Sequence, residues 1–254
     1  ALHGGGGVAT KLDGSTNKQI TREAGKRGWV VVFPQGIEKG WHDGRKIRGR
    51  KARLRAKADD VGFISKVIDR VHADFGIDLK RVYATGISNG GFMSLRLAVD
   101  LSDRVAAVGA VTATMGKNLE HKTPKHPVGV LFMNGTEDPL VPYNGGHVTV
   151  LGMKRGAILS TAGSVNWWVK HMNCTGEPVK TTLPNLIKRD GTYTEVETYN
   201  DCRGNARVVL YRVVNGGHTW PGGMQYLSRK IIGRVSRDFS GAKKIFDFFA
   251  MHHR

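Results

Sequence analysis

Five residues constrain this chain more than any others: Gly86-Ile87-Ser88-Asn89-Gly90, a Gly-x-Ser-x-Gly pattern. Arg81-Val82-Tyr83-Ala84-Thr85 ahead of it is a short β-prone run, and Phe92-Met93-Ser94-Leu95-Arg96-Leu97-Ala98 behind it favours helix. Strand, tight turn and helix in that order put the serine on a sharp bend with its hydroxyl clear of the backbone. The outer glycines belong where a side chain would hold helix and strand apart. On these five residues alone a plain glycine-rich turn with a passive serine stays open, because the chain has 34 glycines.

Apolar runs alternate with helical stretches over the rest of the chain. Residues 16–26 fit a helix. Trp29-Val30-Val31-Val32-Phe33 reads as a strand buried on both faces, ended by Pro34. Residues 35–58 read as one long polar loop. From 59 to 75, Val61, Ile64, Ile68, Val71 and Phe75 recur at helical spacing, Phe63 and Val67 widen the stripe, and Asp59 and Asp60 sit where carboxylates cap a helix. Strands are expected at 105–112, 128–133 and 208–214, a helix at 160–172, and irregular structure with short strands at 180–199. A closing helix puts Ala242, Ile245, Phe246 and Phe249 on one face. The alternation implies an α/β fold: a mostly parallel central sheet with helices on both faces. The 254 residues read as a single domain able to bury a sizeable core.

A serine hydroxyl attacks at neutral pH only with a base beside it and a carboxylate to orient that base. In a parallel sheet such groups lie in loops after the strands. After 128–133 comes Asn134-Gly135-Thr136-Glu137-Asp138-Pro139, and after 208–214 comes Asn215-Gly216-Gly217-His218. The ordered set is Ser88, Asp138 and His218. Glu137 is the rival carboxylate, and Asp138 is preferred because Pro139 fixes a turn beside it. Amides that hold a developing oxyanion are expected from Asn89 and from His3-Gly4-Gly5-Gly6, above all Gly5.

The formal charge is +18, and nine Lys or Arg residues fall between Lys39 and Lys57, with Asp43 the one acid opposing them. This run, Lys51 included, is either a solvated face or a rim that draws in an anionic polymer. No recognition motif supports nucleic acid. No apolar stretch is long enough to span a membrane. Cys174 and Cys202 are either free thiols or one disulfide, which would imply an oxidising compartment.

Leu2-His3-Gly4-Gly5-Gly6-Gly7, Asp59-Asp60-Val61-Gly62-Phe63, Gly86-Ile87-Ser88-Asn89-Gly90-Gly91, Gly135-Thr136-Glu137-Asp138 and Gly217-His218-Thr219-Trp220-Pro221-Gly222-Gly223 occur in this order across nearly the whole chain. They resemble secreted feruloyl esterases and the related polyhydroxybutyrate depolymerase-like esterases. The resemblance implies an α/β-hydrolase fold and a serine esterase that needs no metal or other cofactor. It implies export, with the protein secreted or periplasmic, and hydroxycinnamoyl or related esters of plant polysaccharide as substrate. Polyhydroxyalkanoate depolymerase and acetylxylan esterase are the alternatives within the class, and a catalytically inactive polyanion-binding module is the alternative outside it. The resemblance also implies that Trp41, Tyr143 and Trp220 line the substrate pocket. The basic insertion at 45–57 departs from the family pattern. The chain also opens inside the motif that follows the third strand, so an upstream segment carrying the first strands and a signal peptide is expected.

Overall fold

The computed structural model describes residues 1–254, except for the side chain of Lys51. The first helices are α1 (Ala9–Ser15), α2 (Gln19–Lys26), α3 (Arg50–Ala56) and α4 (Asp60–Phe75). Strand β1 (Tyr83–Ile87) leads through Ser88 into α5 (Asn89–Asp100), followed by β2 (Ala107–Val111) and β3 (Gly129–Gly135). A hairpin of β4 (Gly146–Val150) and β5 (Met153–Ile158) precedes α6 (Thr161–His171). Then come β6 (Val179–Thr182), β7 (Tyr193–Tyr199), β8 (Val208–Val214), α7 (Arg229–Ile232) and α8 (Gly241–Ala250).

The main sheet has the order β1-β2-β3-β8-β7-β6. Its first four strands are parallel, and β7 and β6 add antiparallel pairs at one side. Because strand side chains alternate between faces, two cores form. Val108, Val130, Phe132, Val208 and Leu210 face Phe92 and Leu95 of α5 and Trp168 of α6. Ala107, Val111, Leu131, Met133 and Val209 face Ile20 of α2 and Ala242, Ile245 and Phe249 of α8. Phe132 is completely buried, so Phe132→Ala would cost about 3–5 kcal/mol. This is the α/β-hydrolase arrangement, with helices on both faces of a mostly parallel sheet.

Four local expectations need correction. The helix over 16–26 is broken: Asn17 and Lys18 both have φ near 56°, and helix resumes only at Gln19. Residues 29–33 form no strand, and Val30 is 48% exposed. A strand needs a ladder partner, and here the Ala1 amine donates a single hydrogen bond to the Val32 carbonyl. The polar stretch 35–58 contains α3, so it is not loop throughout. The β4–β5 hairpin carries no strong alternation in sequence. In α4, Ile64 and Ile68 are buried as the stripe implies, but Phe63 and Phe75 are exposed. Among the described residues no helix is long and apolar enough to cross a membrane.

Candidate active site

The bend at Ser88 forms because its two glycines let backbone meet backbone. A side chain at Gly90 would lie 2.1 Å from the Leu2 carbonyl oxygen, and one at Gly86 would lie 2.5 Å from the Gly90 carbonyl carbon. Ser88 itself adopts φ 55° and ψ −121° as the residue that opens α5. A non-glycine residue reaches that region only under strain. The Ser88 amide is held by the Val111 carbonyl at 2.8 Å and by Thr112 Oγ1 at 3.2 Å.

Ile87, Val111, Met133 and Tyr211 lie in register across β1, β2, β3 and β8. The loops after these parallel strands therefore leave the same edge of the sheet. Asp138 follows β3 and His218 follows β8. His218 Nδ1 and Asp138 Oδ2 are 2.7 Å apart, and both side chains are almost wholly buried. Asp138 Oδ1 accepts the amides of Leu140 and Val141, each at 2.8 Å, so the turn at Pro139 fixes the carboxylate. Glu137 instead pairs with Arg234 at the surface. A side chain at Gly217 would lie 2.1 Å from the Ile232 carbonyl oxygen, and that carbonyl receives the His218 amide. The Tyr226 hydroxyl donates to the His218 carbonyl at 2.9 Å. Burial, then the nearby Asp138 charge, pushes the Tyr226 phenol up, which keeps this donor protonated. Among the described residues Ser88 Oγ has no hydrogen-bond partner, and no direct bond joins it to His218.

The glycine loop packs against the start of α5: a side chain at Gly5 would touch Asn89 Cβ at 3.6 Å. The amide of Gly6 is taken by the Lys39 carbonyl and that of Gly7 by the Gly4 carbonyl. The amides of Gly4, Gly5 and Asn89 have no partner among the described residues. His3 clamps this loop. Its Nδ1–H donates to the Gly4 carbonyl, and its Nε2 accepts from the Gly36 amide at 3.1 Å. Burial holds the imidazole below its usual pKa; the Gly4 carbonyl opposes this and the Arg55 charge adds to it.

Of the three aromatic residues expected at the pocket, Trp41 and Trp220 are buried and held by hydrogen bonds. Trp41 is 1% exposed; its Nε1 donates to the His3 carbonyl and its amide to Asn89 Oδ1. Trp220 is 2% exposed and donates to Gln19 Oε1 within the second core. Tyr143 is half-buried, with the Arg212 guanidinium 5.9 Å from its ring centroid.

Sequence reasoning missed a buried network beside the serine. Asp43 accepts from Arg45 Nη2 at 2.6 Å and from Asn89 Nδ2 at 2.6 Å. The Arg45 guanidinium lies 3.8 Å from the centroid of the Phe92 ring. The signal was present: the lone acid in a basic run is a candidate for a buried ion pair. Cys174 and Cys202 are joined in a disulfide.

Comparison with known proteins gives consistent relatives. The chain is 30% identical over 254 residues to the protein named "Putative esterase NocK" of Nocardia uniformis subsp. tsuyamanensis, covering 97% of this chain and 72% of that protein. It is 32% identical over 210 residues to Feruloyl esterase B of Piromyces equi, covering 80% of this chain but only 36% of that longer protein. Among solved structures, the acetyl xylan esterase from Aspergillus awamori superposes with a TM-score of 0.60 at 11% identity, over 98% of this chain and 87% of that one. No protein-family model matches the chain. With the strand order, the elbow and these relatives together, the chain belongs to the α/β-hydrolase family of carboxylic-ester hydrolases that includes the feruloyl esterases.

Proposed function

We propose that Ser88, His218 and Asp138 form a catalytic triad that cleaves hydroxycinnamoyl or related esters of plant polysaccharide through an acyl-enzyme. The observation that carries this reading is the 2.7 Å contact between His218 Nδ1 and Asp138 Oδ2, on the same sheet edge as the strained Ser88. With Nδ1 engaged by the carboxylate, Nε2 is the ring nitrogen free to take a proton. Ser88 Oγ attacks the ester carbonyl as its proton passes to Nε2. The bond between hydroxyl and imidazole forms when the serine turns in the substrate complex, since such contacts are often loose in the free enzyme. The amides of Gly5 and Asn89 hold the oxyanion. His218 then protonates the departing alcohol, and water, deprotonated by the same imidazole, releases the acid.

Asp138→Asn should lower kcat by about 10⁴, while Glu137→Gln should leave it near the wild-type value. Equal losses in the two variants would refute the assignment. Parallel rates on methyl ferulate, acetylxylan and hydroxybutyrate oligomers identify the acyl group, and a ferulate preference is the expected result. The disulfide supports an extracytoplasmic site of action, and the charge of +18 supports an anionic polymer as the support for the ester.

A further inference from the structure

Between the loop at Trp41–Lys46 and helix α3 lies a cavity of about 380 Å³. Arg45, Lys46 and Arg55 line it, with Trp41, Asn118 and a single carboxylate, Asp43. That carboxylate is already committed: its oxygens accept Arg45 Nε and Nη2, the Arg45 amide and Asn89 Nδ2. Two guanidinium donors are left over. Arg45 Nη1 is buried with no hydrogen-bond partner among the described residues, on a side chain only 4% exposed. Arg55 Nε is likewise buried and unpartnered, while its Nη2 donates to the Glu38 carbonyl.

The surroundings keep these donors in place. The Arg45 stem packs against Gly116 and Gly156, where an added Cβ would meet it at 3.0 and 2.8 Å. The Arg55 guanidinium lies over Gly40, where an added Cβ would fall 2.6 Å from its Cζ. Burial, then the charge of Arg155, lowers the Arg55 pKa; Asp43 and Glu38 oppose this, and Arg45 adds to the lowering. Arg45 and Arg55 thus meet at one cavity whose lining holds a single carboxylate, Asp43. A buried charged donor without an acceptor carries its full desolvation cost until an acceptor arrives.

We propose that this cavity binds the carboxylate of an acidic sugar residue on the substrate, through Arg45 Nη1 and Arg55 Nε. Guanidinium groups suit a planar carboxylate, and the volume admits a sugar ring. The position fits a role beside the ester, because Asn89, the residue that follows the nucleophile, is hydrogen-bonded through its side chain to Asp43 and to the Trp41 backbone. The choice of a sugar rests on the esterase reading above, but binding itself does not.

The test is calorimetric titration at low ionic strength with sodium glucuronate, glucose, inorganic phosphate and sulfate. Wild type, Ser88→Ala and Arg55→Gln are compared, and circular dichroism confirms that each variant is folded. Saturable one-to-one binding of glucuronate to wild type and Ser88→Ala is expected, with no heat from glucose. Arg55→Gln should weaken the binding about tenfold or more, the loss of one charge-assisted hydrogen bond. Lys46→Gln, exposed at the mouth, replaces it if Arg55→Gln does not fold, and should weaken binding in the same direction. No glucuronate binding, undiminished binding in the variant, or saturation by phosphate or sulfate alone would overturn the proposal. Titration needs no turnover, so an inert enzyme that binds glucuronate overturns only the esterase reading, and an active one that does not bind overturns only this site.

Discussion

Replacing Ser88 by glycine should abolish ester hydrolysis and make the fold more stable. Ser88 sits at φ 55° and ψ −121°, a conformation that costs a non-glycine residue about 1–3 kcal/mol. Glycine removes that cost, but its freer unfolded chain takes back about 0.5–1 kcal/mol. The net gain is about 0.5–2 kcal/mol, a rise in Tm of roughly 1–8 °C for a chain of this length. Ser88→Ala is the control, because it removes the hydroxyl and keeps the strain. Since Ser88 Oγ has no partner among the described residues, the alanine variant should unfold close to wild type. Scanning calorimetry and urea unfolding of the three proteins, beside an aryl-ester assay, read both effects. A glycine variant no more stable than the alanine variant would refute the claim that the elbow stores strain for function.

Other perturbations test separate parts of the account. Asp43→Ala leaves the Arg45 guanidinium buried without its carboxylate and should destabilise by about 3–5 kcal/mol, read as a lower urea midpoint; an unchanged midpoint would show that the pair carries no weight. His3 and His252 are both held below the usual histidine range by burial, so the folded protein keeps them neutral. Below about pH 6.5 the unfolded chain takes up protons that the folded one does not, so their contribution is complete above that pH and is lost as pH falls towards the folded pKa values. Urea midpoints should therefore drop between about pH 7 and 5, and a flat or rising profile would contradict this. Replacing Cys174 and Cys202 by serine opens a loop with a sequence separation of 28 and should cost about 3–4 kcal/mol of stability with little change in kcat. Thermal unfolding and steady-state rates measure the two sides of that statement.

The sequence was readable where one residue type had one physical reason to be present. Gly86 and Gly90 could be assigned because only glycine lets helix and strand meet at that distance, and the closing helix because its four apolar residues face one way. The paired cores followed from runs such as Val130-Leu131-Phe132-Met133, apolar on both faces. Residues 29–33 have the same composition but no ladder partner among the described residues, and partnering is a property of the whole sheet that a local run does not contain. The break at Asn17 and Lys18 is hidden in sequence because Asn tolerates a left-handed turn while Lys, a helix former, gives no sign of one. The indole nitrogens of Trp41 and Trp220 donate to buried acceptors, the His3 carbonyl and Gln19 Oε1, which only the folded chain supplies. Arg45 stands among basic neighbours in the sequence, and its burial depends on Phe92, Gly116 and Gly156 from three distant segments meeting around its pair with the adjacent Asp43.

The measurement that bears most directly on the central claim is mass spectrometry of the protein after reaction with a fluorophosphonate ester. A single adduct on the peptide carrying Ser88, absent from Ser88→Ala and strongly slowed in Asp138→Asn, is the predicted result. An unlabelled Ser88 in folded protein that still hydrolyses aryl esters, or an adduct on another residue, would contradict it.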